Sequence, residues 1–409
     1  MKILQINNFH YKRGGAEAVY LNTSQLLRSR GHQVFNFSQI HTLNEASEEA
    51  PYFVSYQDFL NQSLDNKIKN FTKFIYSNEA KTNLEKLIKD KKPDIAHLHN
   101  FIGGLTLSIL PVLKKFNIPV VVTLHDYKLL CPVYTLLDNK NNVCEKCISG
   151  SYIPCITKRC NKGSLPYSFV IALESYVRDL YFSPSSHYDK IICVSKFALH
   201  KHTNKEYDKK LTHIYNFINA PEREPMQIQN EGYYLYFGRL SREKGVLTLI
   251  DSFKNMKEQK LVIVGTGPLE PNVLEAIKEI PNIQFLGFKS GEELKSLIRK
   301  ASYVIVPSEW YENNPMTIIE SYFLGTPVIG TNIGGIPEIL LNGETGFLFN
   351  PGDREKLSQL ISNTSHVLAN QYADMVRSCY NFANANFSSD VHYQKLINVY
   401  SELTMNSSK

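Results

Sequence analysis

Residues Val304 to Gly335 read VIVPSEWYENNPMTIIESYFLGTPVIGTNIGG. Tyr303 to Pro307 is a short β-branched run and Glu309 to Asn314 is polar and irregular. From Pro315 the apolar residues Met316, Ile319, Tyr322 and Phe323 fall at helical spacing until Gly325. The pattern predicts strand, loop and helix. A proline at the first helical position is pre-organised for the helix, and the amides of Met316 and Thr317 are left pointing out of its start, which suits an anion or a hydroxyl. Pro327 to Gly330 predicts the next strand. The result is a parallel βαβ unit whose polar loop lies at the carboxyl ends of the strands, where open α/β sheets bind ligands.

Glu312 and Glu320 are eight positions apart, one in the loop and one in the helix. Read alone, they are solvated surface glutamates. As ligand contacts they fit hydroxyl groups, because a carboxylate beside a phosphate is repelled by several kcal/mol in a dry cleft. The surrounding ENNPMTIIE, the following GTPVI and the pair Gly334-Gly335 resemble the Glu-(seven residues)-Glu signature of retaining, nucleotide-sugar-dependent glycosyltransferases of family 4. That resemblance implies the GT-B fold: two Rossmann-like, doubly wound α/β domains facing a central cleft. It also implies that Asn314, Pro315, Met316, Thr317 and Glu320 bind the donor and that Glu312 takes part in catalysis.

The remaining sequence is consistent with two domains. A chain of 409 residues exceeds one ordinary core. Alternating strand and helix patterns recur: KILQIN (Lys2 to Asn7), a helix over Ala16 to Arg30, strands at Gln33 to Asn36, Pro93 to His99 and Pro119 to Tyr127, and a helix over Tyr167 to Tyr181. YDKIICVSKFA then runs from strand to helix with Ser195 as N-cap. Asn219 to Gly232 lacks periodicity and reads as a linker. The expected boundaries are 1–217 for an acceptor-side domain, 218–385 for a nucleotide-sugar domain, and 386–409 for a helix crossing back to the first domain.

The second half opens with a strand at Tyr233 to Phe237 and then GRLSREKG. Arg239 and Lys244 lie five apart across a turn that leads into a helix at Val246 to Phe253. Two fixed cations there can hold a diphosphate and stabilise the charge that grows on it as it leaves. The resemblance assigns them that role. In LVIVGTGPL the glycines Gly265 and Gly267 leave room for a planar base. In IQFLGFKS the resemblance places Phe288 and Lys289 beside the nucleotide, through backbone groups. In the first half, Gly14 and Gly15 form a turn at a helix start, where backbone can approach a ligand closely, and the resemblance sets them beside the donor diphosphate. His125, in HDY, matches a histidine that reaches the donor sugar. His97 and His99 read as structural residues at strand ends.

Cys131, Cys144, Cys147, Cys155 and Cys160 fall within an insertion over about 131–160. Cys144, Cys147, Cys155 and Cys160 have the close spacing of a structural zinc knuckle. Reduced thiols in an insertion, or disulfides, fit the same spacing. Within the resembling family the insertion sits on the acceptor side, which suggests acceptor recognition or stiffening. No Asp-x-Asp occurs, so a metal-bridged diphosphate has no ligands of that type here and no cofactor is expected for catalysis.

Net charge is +6, and it is unevenly placed: Met1 to Phe217 carries 28 Lys and Arg against 18 Asp and Glu. A basic first half suits an anionic membrane surface or a lipid-diphosphate acceptor, and equally a solubilising surface. No arginine-rich stripe or binding motif accompanies it, so nucleic acid is not expected. The start of the chain goes straight into a strand with no leader-like pattern, and no apolar run reaches the length of a spanning helix. The expected location is cytoplasmic, with peripheral contact at the inner face of the membrane. The reading is therefore a retaining transferase that moves a sugar from a nucleoside diphosphate (UDP or GDP) to a hydroxyl of a glycan or lipid-linked acceptor in surface polysaccharide synthesis. A nucleotide-sugar epimerase or a sugar phosphorylase on the same architecture is the alternative.

Overall fold

Short runs of apolar, mostly β-branched or aromatic residues make the strands, and those at Ile95–Leu98, Val120–Leu124, Tyr233–Phe237 and Val328–Thr331 are buried along their full length, as parallel strands covered on both faces must be. The structure, a computed structural model, describes residues 1–56, 74–219 and 229–407. Strands β1 (Lys2–Ile6), β2 (Gln33–Phe37), β3 (Ile95–Leu98), β4 (Val120–Leu124), β5 (Lys190–Cys193) and β6 (Leu211–His213) form one parallel sheet in the order β2-β1-β3-β4-β5-β6. Strands β7 (Tyr233–Phe237), β8 (Lys260–Val264), β9 (Ile283–Phe285), β10 (Ala301–Val306), β11 (Val328–Thr331) and β12 (Gly346–Phe349) form a second, in the order β12-β11-β10-β7-β8-β9. Read from β9, the second order is that of a dinucleotide-binding sheet, with its reversal of direction between β7 and β10.

The chain divides into two compact units, residues Met1–Tyr215 with His392–Lys409, and Asn216–Val391. Most of the segment read as a linker, residues 220–228, lies outside the described residues, as do 71–73 of the helical stretch expected around Phe71. In the second unit β7, β8 and β10 bury Tyr234, Tyr236, Leu261, Ile263, Tyr303 and Ile305 against Val246, Leu249 and Phe253 of the Val246–Phe253 helix. After β12 comes the Arg354–Thr364 helix. A separate helix, Ala369–Phe387, follows it and had no counterpart in the sequence reading. It packs on the Met316–Phe323 helix, where Tyr322 meets Phe382 and Phe323 meets Tyr380 edge-on, each at 6.3 Å between ring centres.

In the first unit the core of Ile3, Leu27, Ile95, Val121 and Ile192 is completed by Leu396, Val399 and Tyr400 of the Ser389–Ser407 helix. Tyr400 also enters the sheet's polar interior. Its hydroxyl lies 2.6 Å from His97 Nδ1 and accepts from Gln5 Nε2 at 3.4 Å. Both partners are buried, so removing the hydroxyl strands polar atoms away from water. Tyr400→Phe is expected to destabilise the first unit by about 1–3 kcal/mol, seen as a lower midpoint for its unfolding transition in urea. A midpoint equal to wild type would show that the hydroxyl contributes nothing.

Candidate functional site

The loops that follow β7 and β10 meet at the point where the second sheet reverses direction. The β7 loop turns through a short 3₁₀ segment, Arg242–Lys244, into Gly245, whose φ of 70° is left-handed. A Cβ at Gly245 would lie 1.9 Å from the Pro307 carbonyl oxygen, so only glycine lets these two loops approach. Glu309 N–H donates to Glu243 O at 2.8 Å and joins them again. A third loop braces the second: Gly335 N–H donates to Glu312 O at 2.7 Å, and a Cβ at Gly335 would meet Asn313 O at 1.9 Å.

These approaches place Lys244 against Glu312. Lys244 Nζ is 2.6 Å from Glu312 Oε1, and Ser308 Oγ donates to the same oxygen at 2.6 Å. Lys244 Nζ also lies 5.2 Å from the centre of the Trp310 ring, within cation–π range. Glu312 is buried, with 5% of its surface exposed. Burial pushes its carboxyl up, but the charge and hydrogen bond of Lys244 and the Ser308 hydroxyl outweigh that and hold it below the ordinary carboxylate range. Glu312 is therefore an ionised carboxylate at neutral pH, and the lysine beside it keeps donors for a second acceptor. Ser308 and Trp310 were not singled out from the sequence. A hydroxyl four residues before a loop glutamate carries no periodic signal.

Other expected residues of this unit sit around the pair in different ways. Pro315 caps the Met316–Phe323 helix, with Met316 and Thr317 half-buried at its start and Glu320 half-buried further along. Asn314 is engaged with the chain itself, its Oδ1 accepting from Asn216 N–H at 2.8 Å and its carbonyl from Asn216 Nδ2 at 3.2 Å. Its Nδ2 is buried and has no hydrogen-bond partner among the described residues. Arg239 is exposed, and its carbonyl accepts from Tyr236 Oη at 2.8 Å. No ion pair joins it to Glu312 as one joins Lys244. At Gly265 and Gly267 the backbone of a neighbouring loop comes close. The space a Cβ would take is filled by Gly238 O at 1.9 Å and Leu240 O at 2.4 Å, so these glycines serve close contact between strand-end loops. Phe288 is exposed, and Lys289 pairs with Glu293 at 2.5 Å.

In the first unit the Gly15–Ser29 helix starts at Gly14, whose φ of −161° is extended and open to any residue. Glu17 folds back so that its Oε2 would lie 3.3 Å from a Cβ on Gly14, and the nearby backbone N–H groups of Gly14 and Glu17 favour its charged form. Burial raises its carboxyl, with Arg13 lowering it and Asp126 raising it from nearby. The structure thus brings Gly14, Glu17 and the His125-Asp126 turn together, and Glu17 was not anticipated. His125 Nε2 is 2.9 Å from His99 Nδ1, His99 Nε2 is 2.9 Å from Gln5 Oε1, and His97 Nε2 is 2.7 Å from Thr123 Oγ1. With Gln5 Nε2 donating to Tyr400, Gln5 Oε1 must accept from His99. His99 Nδ1 then accepts from His125, so the orientation of one amide sets the protons of His99 and His125.

All seven cysteines are free thiols. Cys147 and Cys155 are buried together with Tyr152 and Ala172, and Cys160 packs against them. The Cys144 thiol instead accepts from Lys158 Nζ at 3.6 Å. Among the described residues no group of three or more His, Cys, Asp or Glu is arranged to hold a metal ion, so the expected set of Cys144, Cys147, Cys155 and Cys160 does not converge on one point.

Comparison with known proteins places this geometry. Residues 13–221 match the family model described as Glycosyltransferase Family 4, and residues 220–376 match Glycosyl transferases group 1. An uncharacterized glycosyltransferase of Methanocaldococcus jannaschii is 32% identical over 220 residues, half of this chain and 60% of that protein. A lipopolysaccharide 1,2-N-acetylglucosaminetransferase of Salmonella typhimurium is 31% identical over 170 residues, 37% of this chain and 45% of the relative. Among solved structures, Anabaena HepE in complex with UDP and glucose superposes with a TM-score of 0.66 at 18% identity, covering 98% of this chain and 99% of that one. The fold is the two-domain GT-B arrangement of doubly wound α/β units.

The histidine row generates a pH dependence. Burial, and then repulsion from neighbouring histidines, lowers His97 to about 3 and His125 to about 4, and holds His99 well below its ordinary value. Folded, these rings stay neutral where an unfolded histidine, near 6.5, takes a proton. Their stabilisation is therefore complete above about pH 6.5 and is lost as pH falls from there toward 4, by about 1.4 kcal/mol per pH unit for each ring. Urea midpoints of the first unit are expected to drop steeply between pH 7 and 5. A flat midpoint across that interval would contradict the assignment of neutral rings.

Proposed function

Since the chain belongs to Glycosyltransferase Family 4, whose model spans residues 13–221, we propose that it transfers a sugar from a nucleoside-diphosphate donor to a hydroxyl of a glycan or lipid-linked acceptor, with retention at the anomeric carbon. The observation that carries this reading is the pairing of half-buried Lys244 with buried Glu312 at the switch point of the second sheet. A lysine with one N–H given to Glu312 has two donors left for a diphosphate, whose charge grows as it leaves. Arg239, exposed on the same loop, supplies the second cation. The start of the Met316–Phe323 helix, with the unpaired Asn314 Nδ2 beside it, adds neutral donors. Retention needs no separate base, because the leaving phosphate and the attacking hydroxyl share one face of the sugar. Glu312 then supports positive charge on the ring and orients a sugar hydroxyl, Glu320 binds ribose, and neutral His125 offers an uncharged hydrogen bond to the sugar.

The donor class is supported by structural relatives bound to UDP and UDP-glucose, and the acceptor class by relatives that build lipopolysaccharide and colanic acid. Among the described residues no helix is long and apolar enough to cross a membrane. Attachment to the surface of an anionic membrane is supported by the Leu165–Tyr181 helix. Leu165, Phe169, Tyr176 and Leu180 recur on one face and are 49, 51, 37 and 74% exposed, and Lys158, Arg159 and Lys162 precede them in the chain. An apolar face beside basic residues is what an interfacial helix presents to anionic lipid.

Lys244→Ala is expected to lower turnover by roughly two to three orders of magnitude with a smaller loss of nucleoside-diphosphate affinity. Glu312→Gln should reduce turnover far more than diphosphate binding, whereas Glu320→Ala should weaken the free nucleoside diphosphate. Initial rates across a panel of nucleotide sugars, paired with calorimetry, separate these. Near wild-type turnover in Lys244→Ala would remove the pair from the chemistry, and turnover without any acceptor hydroxyl would favour an epimerase.

The membrane reading has its own measurement. Flotation with vesicles of anionic and of neutral lipid should recover the protein with the anionic ones, and the double variant Phe169→Glu with Leu180→Glu should stay in the soluble fraction. Equal recovery of variant and wild type would exclude this helix as the contact.

A further inference from the structure

Two of the thiols that fail to converge on a metal are brought together by the backbone. The short Ile153–Thr157 helix ends with Arg159 in the left-handed region, at φ 50°. Arg159 N–H donates to Ile156 O and Cys160 N–H to Cys155 O, each at 3.0 Å. That crossed pair of bonds is the Schellman ending, which sets the side chain three from the helix end against the one two past the cap. Here those two residues are Cys155 and Cys160. With about 2.4 Å from a Cα to its own carbonyl oxygen and about 1.5 Å from N to Cα, the 3.0 Å bond keeps the two Cα atoms within about 6.9 Å. Angles at the bond shorten this into the range of about 4.4–6.8 Å that disulfides span.

The surroundings are unequal. Cys155 is 1% exposed and packs with Cys147, Tyr152 and Ala172, while Cys160 is half-buried at the edge of that cluster. We propose that Cys155 and Cys160 form a redox-active dithiol that closes to an intrachain disulfide by exchange with a low-molecular-weight disulfide. The accessible Cys160 is the attacking group. In the first step the Cys160 thiolate attacks one sulfur of the small disulfide, forming a mixed disulfide and releasing one thiolate. In the second, Cys155 gives its proton to that thiolate, and its own sulfur attacks the Cys160 sulfur and expels the second small thiolate, which takes up from solvent the proton that Cys160 released on ionising. Two protein thiols are oxidised and one small disulfide is reduced to two thiols, so atoms and electrons balance. The closed ring would lock the turn that carries Lys158 and Arg159.

The test uses the intact chain in glutathione buffers of graded oxidised-to-reduced ratio, quenched with an alkylating agent and mapped by peptide mass. A Cys155–Cys160 cross-link, two hydrogens lighter and reversed by excess reduced glutathione, is expected to form before any other pair. Cys155→Ser is expected to trap glutathione on Cys160, as a merely packed cysteine would not, and Cys160→Ser to leave Cys155 unmodified. The proposal is overturned if wild-type Cys155 and Cys160 both stay alkylatable in fully oxidised glutathione. It is also overturned if they resist alkylation until a chelator releases bound zinc, which would make them metal ligands.

Discussion

A carboxylate held out of water needs a cation facing it, and the second unit is arranged to keep one there. Glu312 is buried and Lys244 lies 2.6 Å away. Desolvation works against such a pair, and its members persist as charges only where geometry is fixed and the remaining hydrogen bonds are met. Three backbone approaches supply that fixity. Gly245 admits Pro307, Gly334 admits the backbone of Glu312, and Gly335 admits Asn313, so the loops after β7, β10 and β11 are interlocked before any ligand arrives. Positioning of this kind is what electrostatic stabilisation of a developing charge requires, because fixed groups need no reorganisation during the reaction.

The first unit solves a different problem with uncharged groups. His97, His99 and His125 lie one after another with Gln5, Tyr400 and Thr123. The row itself buries no charge, and His99 and His125 have defined tautomers because the amide of Gln5 gives them one direction. The Gly14 turn shows the same economy. The Glu17 carboxylate lies back over it, so an incoming anion would meet an internal carboxylate there.

Much of this was legible in the residues. Strand β7 and the Val246–Phe253 helix fall where the apolar pattern placed them, and the Met316–Phe323 helix starts one residue after Pro315. Parallel strands read well because continuous apolar runs between polar loops have one explanation in a doubly wound sheet. The Ala369–Phe387 helix was missed although Tyr372, Met375, Val376, Cys379 and Ala383 are buried along it at helical spacing. Polar residues between them concealed the stripe. Tyr400 and Ser308 were not legible, because their partners lie 303 residues away in one case and within an irregular loop in the other. The close approach of Gly238 to Gly265 was illegible for a related reason. Sequence shows that a side chain is absent, and only structure shows what stands in its place.

The return of the Ser389–Ser407 helix to the first sheet has a consequence for how the polypeptide is made. Synthesis delivers β1 through β6 long before Leu396, Val399 and Tyr400, yet those three complete their core. The second unit, continuous from Asn216 to Val391, has everything it needs as soon as it leaves the ribosome. The first must wait, with an apolar face uncovered and His97 short of a partner, through the translation of some 175 further residues, about ten to thirty seconds at ordinary rates of elongation. During that interval its sheet presents to water the apolar face that Leu396, Val399 and Tyr400 later cover.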